Sequence, residues 1–137
     1  MPEVIDTSVW NRRHGTQLRD WFESAFAARE LVVCDMVKLE ALQSARNARE
    51  FTSLKQELEE LPWCRIALPE FGRALEVYET FAQQGGAYQR SVKHPDLLIA
   101  AAAESAGLTV VHYDEDYDRI GAVTGQPMRW VAPRGSL

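Results

Sequence analysis

The stretch Lys93-His94-Pro95-Asp96, running on into Leu97-Leu98-Ile99-Ala100-Ala101-Ala102-Ala103-Glu104, narrows the folds open to this chain more than any other. Past Pro95 it reads as a helix so rich in Ala, Leu and Ile that it must lie against a core. Gly107 supplies its C-terminal stop. Leu108-Thr109-Val110-Val111-His112-Tyr113 follows as the strongest strand signal in the sequence. A buried helix passing directly into a buried strand calls for helices layered on a sheet. At the start of that helix stands an acid, Asp96, readable as a cap or as a carboxylate fixed at the rim of the core.

The rest of the chain repeats the alternation. Val4-Ile5 reads as a brief strand ending at or near Asp6, followed by a turn held by the hydroxyls of Thr7 and Ser8. Leu18, Phe22 and Phe26, widened by Trp21 and Ala25, predict a helix over about 16–29, and Leu31-Val32-Val33-Cys34 predicts a second strand. Asp35 is placed to N-cap a helix, and residues 36–61 hold either two helices or one long bent one, closed by Pro62. Residues 64–68 form a candidate strand. Pro69-Glu70 opens a helix whose buried side is expected to carry Phe71, Leu75, Tyr78 and Ala82, and Gly85-Gly86 ends it. A polar connection spans 87–94. After the late strand come a helical turn through Ile120, a Gly125-Gln126-Pro127 turn and an edge strand over 128–131. The expected architecture is a three-layer α/β/α sandwich with a mostly parallel central sheet. It is read as one domain over 1–132, with 133–137 a frayed tail.

Composition removes whole classes of function. Apolar residues make up 46% of the 137 and charged residues 26%, a globular rather than a disordered balance. No apolar run approaches the roughly 20 residues a membrane span needs. The opening residues lack the basic and apolar regions of a signal peptide. Two isolated cysteines, Cys34 and Cys64, make neither a disulfide framework nor a thiolate zinc site and read as small buried side chains. A reducing, cytoplasmic setting is expected. A net charge of −5 argues against a protein that coats nucleic acid with a broad basic face, yet it suits an enzyme that gathers its acids in one cleft.

In a parallel sheet, ligands bind beyond the carboxyl ends of the strands. Asp6 follows the first strand, Glu40 lies in the helix after the second, Asp96 begins the apolar helix, and Asp114 and Asp116 follow the late strand. Taken singly, each has a plain structural use. Four such acids at equivalent positions point to a shared site. Crowded carboxylates repel, and a hard divalent cation, Mg²⁺ or Mn²⁺, removes that repulsion. Phosphodiester hydrolysis is the chemistry such a site suits, since the cation also screens the charge of the substrate. Thr7 and Ser8 are candidates for steadying a ligating carboxylate. Arg90 and Lys93 are candidates for contacting backbone phosphate, and Arg12, Arg13 and His14 form a small basic patch. His94 and His112 have no zinc spacing and read as core, capping or surface residues. Asp118 reads as a helix-start or surface acid, and the aromatic residues as packing.

Val4-Ile5-Asp6-Thr7-Ser8, Glu40, Asp96-Leu97-Leu98-Ile99-Ala100-Ala101 and the run Val110 to Ile120 together resemble a PIN domain, more particularly a VapC-like toxin of a toxin–antitoxin pair. The resemblance spans nearly the whole chain and rests on the order and separation of the four pieces. It implies a small α/β/α endoribonuclease using Mg²⁺ or Mn²⁺, homodimeric, inhibited by a cognate antitoxin and acting on tRNA, rRNA or mRNA. It also implies that Asp6, Glu40 and Asp96 carry the family's acidic roles, with the fourth falling to Asp114 or Asp116. Val32-Val33-Cys34-Asp35-Met36 resembles instead the acceptor site of a receiver-like domain. That chemistry needs a lysine after a late strand, where this chain has Asp and Glu. A binding subunit whose acids merely hold a metal or a basic partner is the third reading.

Overall fold

The computed structural model describes residues 1–86 and 88–137. Its strands are β1 (Glu3–Ile5), β2 (Leu31–Cys34), β3 (Trp63–Cys64), β4 (Thr109–His112) and β5 (Met128–Trp130). They form one sheet in the order β3-β2-β1-β4-β5, with every neighbouring pair parallel. The central strands are buried along their length and read as apolar runs, as parallel strands covered on both faces must. Val4 pairs with Val32 and Val110, and Ile5 with Val111. From β1 the chain moves outward to β2 and β3, then returns to add β4 and β5 on the other side. The point of reversal lies between β1 and β4. The order differs from the 2-1-3-4-5 arrangement of receiver-like folds.

Among the described residues eight helices flank the sheet to complete the α/β/α sandwich: α1 (Thr7–Trp10), α2 (Arg19–Ala27), α3 (Asp35–Gln43), α4 (Ala48–Glu59), α5 (Leu68–Gln84), α6 (Tyr88–Ser91), α7 (His94–Ala106) and α8 (Asp116–Thr124). Residues 36–61 therefore hold two helices, separated where Asn47 caps α4 by accepting from the Glu50 amide at 2.9 Å. In the expected connection 87–94, residue 87 lies outside the described residues and Tyr88–Ser91 makes a helical turn. Among the described residues no helix is long and apolar enough to cross a membrane.

Five local expectations change. Thr7-Ser8 begins a short helix rather than a plain turn, with Asp6 as its N-cap. Asp35 is the first residue of α3, not its cap; its carboxylate accepts from the Ile66 amide at 2.6 Å and from Trp63 Nε1 at 2.8 Å, tying the exit of β3 to the start of α3. The strand expected over 64–68 is only Trp63–Cys64. The acidic segment after β4 opens a full helix, α8, rather than one turn. Finally, α5 buries Glu70, Ala74, Val77 and Phe81, one residue round from the expected face, which leaves Phe71 and Leu75 exposed. Residues 133–137 are exposed; the Leu137 amide donates to Tyr113 Oη at 2.8 Å, and Arg134 pairs with Glu115.

Candidate metal centre

Parallel βα connectivity brings the acids together. A helix that precedes a parallel strand runs back across the sheet, so α7 begins at the edge where β1 and β4 end. Asp6 directly follows β1, and its amide donates to the Val111 carbonyl of β4 at 3.0 Å. Asp114 and Asp116 follow β4, and Asp96 sits in the first turn of α7. The result is a row of acids at the topological switch point.

Asp96 does not cap α7. Lys93 occupies the N-cap position, and Asp96, three residues on, is 4% exposed. The apolar residues behind it explain the placement: Leu97, Ile99, Ala100, Ala102 and Ala103 anchor α7 in the core and carry Asp96 in with them. One oxygen from each of Asp96, Asp114 and Asp116 lies within 4.8 Å of the other two. Asp116 is also buried, whereas Asp114 is partly exposed. Thus the two acids between which the sequence does not choose both reach the cluster. The Asp116 amide donates to Asp114 Oδ1 at 2.9 Å, which fixes their relative position.

Asp6 stands behind this trio and joins it through a phenol. Tyr117 is fully buried; its hydroxyl lies 2.6 Å from Asp6 Oδ1 and 3.3 Å from Asp96 Oδ1. The other oxygen of Asp6 accepts from the Ser8 amide at 3.0 Å and from the Ser8 hydroxyl in a short bond. Ser8 Oγ in turn accepts from the Tyr113 amide at 2.9 Å, linking the ends of β1 and β4. Glu40, half-buried on α3, accepts from Thr7 Oγ1 at 2.7 Å. So Ser8 holds Asp6 and Thr7 holds Glu40.

Lys93, a candidate for contacting backbone phosphate, carries its Nζ among the acids, 2.8 Å from Asp114 Oδ2, 2.9 Å from Asp116 Oδ2 and 3.3 Å from Asp96 Oδ2. Three carboxylates within reach of one ammonium account for that position. Arg90 is exposed on α6 and not part of the cluster. Arg12 lies over the Tyr113 ring, while Arg13 stacks 3.7 Å from the Trp10 ring centroid and pairs with Glu57, so Arg13 has a packing role. His112 is buried between Tyr117 and Trp130, its Nδ1 accepting from the Asp114 amide at 3.2 Å. Burial holds its ring below the usual histidine range, which keeps it a neutral acceptor. His94 is exposed at the edge of Tyr78, and Asp118 accepts from Trp130 Nε1.

The charges are strongly interdependent. Burial, then the neighbouring Asp6 charge, pushes the Asp96 carboxyl up to about 8. Burial also acts to raise Asp116, but the hydrogen bonds from the Lys93 ammonium and backbone amide prevail and hold it below the usual range. Lys93 is partly desolvated, yet its bonds to Asp114 and Asp116 keep its ammonium more firmly protonated than usual. Burial raises Glu40, against the opposing Thr7 bond. Among the described residues Asp96 Oδ2 is buried with no hydrogen-bond partner, despite the ammonium 3.3 Å away. An unpartnered carboxylate oxygen in an all-oxygen donor set fits a hard divalent cation.

Two contributors went unrecognised in the sequence. Tyr117 reads there as packing, although a buried tyrosine hydroxyl needs a partner and an acid-rich neighbourhood supplies one. Arg119, one turn after Asp116, donates to Asp116 Oδ1 at 3.1 Å, and that i,i+3 spacing is visible in the sequence. The receiver-like reading fails at Asp35, whose oxygens are taken up by Ile66 and Trp63.

The PIN domain family model matches residues 4–123. Ribonuclease VapC18 of Mycobacterium tuberculosis is 42% identical over 133 residues, covering 97% of each chain. Ribonuclease VapC51 of the same organism is 38% identical over 134 residues, covering 98% of this chain and 96% of the relative. Among solved structures, VapBC2 from Rickettsia felis bound to a DNA fragment from its promoter superposes with a TM-score of 0.73 over 96% of this chain and 100% of that one, at 14% identity. VapBC-5 of Mycobacterium tuberculosis gives 0.65 over 95% and 98%, at 20% identity. At those identities the two structures speak to the fold alone.

Proposed function

This chain belongs to the PIN-domain family, as a VapC-like member, and on that premise we propose that it is a metal-dependent endoribonuclease, the toxin of a toxin–antitoxin pair. The observation that carries the proposal is the convergence of Asp96, Asp114 and Asp116, with Asp6 joined to them through Tyr117. In this reading Asp96, Asp114 and Asp116 hold Mg²⁺ or Mn²⁺, and Asp6 and Glu40 complete the acidic wall. When bound, such an ion lowers the pKa of water and screens phosphate charge. Ser8 and Thr7 keep Asp6 and Glu40 aimed at the cleft, Tyr117 fixes the separation of Asp6 and Asp96, and Arg119 steadies Asp116. Arg90, exposed on the helical turn before α7, is free to meet the RNA backbone.

The protein acts in the cytoplasm on tRNA, rRNA or mRNA, as a homodimer restrained by its antitoxin. Two of the solved structures with this fold are VapBC assemblies, which favours such a partner. The test is cleavage of labelled RNA and DNA side by side with Mg²⁺, Mn²⁺ or chelator. RNA cleavage that needs the cation and is lost in Asp96→Asn, with the fold retained, is expected. Cleavage that survives chelation, or a folded Asp96→Asn variant with full activity, would overturn the reading and favour a binding protein.

A further inference from the structure

The ammonium of Lys93 occupies the point on which three ligand carboxylates converge, and this inference rests on their being a metal site. We propose that Lys93 is a tethered counter-cation that fills the metal-free site, competes with the divalent ion, and must swing out when that ion enters.

The geometry requires the competition. Nζ lies 2.8, 2.9 and 3.3 Å from the Oδ2 atoms of Asp114, Asp116 and Asp96. Those residues are the three that present oxygens to one another within 4.8 Å. An ion coordinating them at about 2.1 Å would share the volume of the ammonium, and two cations in one volume repel. Lysine is also an incomplete substitute, since Asp96 Oδ2 keeps no hydrogen-bond partner among the described residues. The place is therefore filled in charge but not in coordination.

Release needs no backbone movement. The Lys93 side chain is 56% exposed, on a flexible four-carbon stem at the N-cap of α7. Its backbone amide donates separately to Asp116 Oδ2 at 3.2 Å and can stay in place while the side chain turns. Once displaced, the ammonium stands at the mouth of the cleft, where an anionic backbone would arrive. The phosphate contact read from the sequence then belongs to the metal-loaded protein, and the ion-pair contact to the metal-free one.

Two measurements on the full chain test this. Calorimetric titration with Mn²⁺ should give Lys93→Met a dissociation constant about tenfold lower than wild type. Pulsed acylation read by mass spectrometry should find wild-type Lys93 protected without metal and several-fold more reactive with saturating Mn²⁺. An equal or weaker affinity in Lys93→Met, its fold checked by circular dichroism, would overturn the proposal. So would tighter binding in the variant with unchanged Lys93 reactivity in wild type, the mark of distant repulsion rather than occupancy. The footprint needs no variant and stands if Lys93→Met misfolds. No Mn²⁺ binding in either protein would instead overturn the metal-site reading itself, and the competition with it.

Discussion

Tyr117→Phe removes one oxygen atom and leaves the ring that packs against His112. The lost hydroxyl is wholly buried and donates to Asp6 Oδ1 at 2.6 Å. Burial holds the phenol well above its ordinary pKa, and the nearby Asp6 and Asp96 charges add to this, so it is a neutral donor throughout the working pH range. Hydrogen bonds to charged groups contribute about 1.5–3 kcal/mol, and a buried acceptor stripped of its donor keeps its desolvation penalty. The metal-free variant should therefore lose about 2 kcal/mol. At roughly 4 °C per kcal/mol for a chain of this size, Tm falls by about 8 °C. Saturating Mn²⁺ should narrow the gap, because the ion offsets the carboxylate charges that the hydroxyl no longer bridges. Circular dichroism melts of both proteins, with chelator and with Mn²⁺, decide the point. A metal-free variant within about 0.5 kcal/mol of wild type would refute the bridge and leave Tyr117 as a space-filling ring.

Asp96→Asn should abolish Mn²⁺ binding and RNA cleavage while matching or exceeding the metal-free stability of wild type, since burying the Asp96 charge is unfavourable; a marked fall in Tm would count against that account. Proton linkage gives a second check. With its folded pKa raised to about 8, Asp96 makes metal-free stability decline as pH rises from the ordinary carboxyl range towards 8, because the native state binds a proton that the unfolded state has released. Asp116, held low, opposes this by adding stability above its unfolded pKa that is lost on acidification. Mn²⁺ binding near neutral pH should accordingly release a proton and tighten as pH approaches 8, visible in calorimetry with buffers of different ionisation enthalpy; no buffer dependence would contradict it. Asp116→Asn should cost more stability than Asp114→Asn, because Asp116 is buried and serves the Lys93 amide and Arg119 as well as the cluster. Equal and slight effects of the two on both Tm and cleavage would remove them from the site.

The parallel sheet was legible because its buried strands advertise themselves as β-branched runs, and the switch-point rule then gave the acids an address. Side-chain partners were less legible. Tyr117 and Asp6 are 111 residues apart, and nothing local marks one as the other's donor. The buried face of α5 is ambiguous in the sequence because the helix carries two apolar stripes, and size favours the larger residues Phe71, Leu75 and Tyr78. Packing chose Ala74, Val77 and Phe81 against the Ala-rich α7, where small side chains allow close approach, while Glu70 turned back to accept from the Ala67 amide at 2.9 Å. Asp35 looked like a cap because acids often are; its use depends on β3, which arrives 28 residues later. The place of the Lys93 ammonium among the acids is not visible locally either. A lysine three residues before an acid does not reveal that two further acids will close around its ammonium.

Diffraction from crystals soaked in Mn²⁺, with the ion located by anomalous scattering, decides whether these three aspartates hold the metal. An ion is expected about 2 Å from carboxylate oxygens of Asp96, Asp116 and Asp114, with Lys93 Nζ turned out of the cluster. An ion bound elsewhere, or none at saturating Mn²⁺ with Lys93 still seated among the three aspartates, would contradict it.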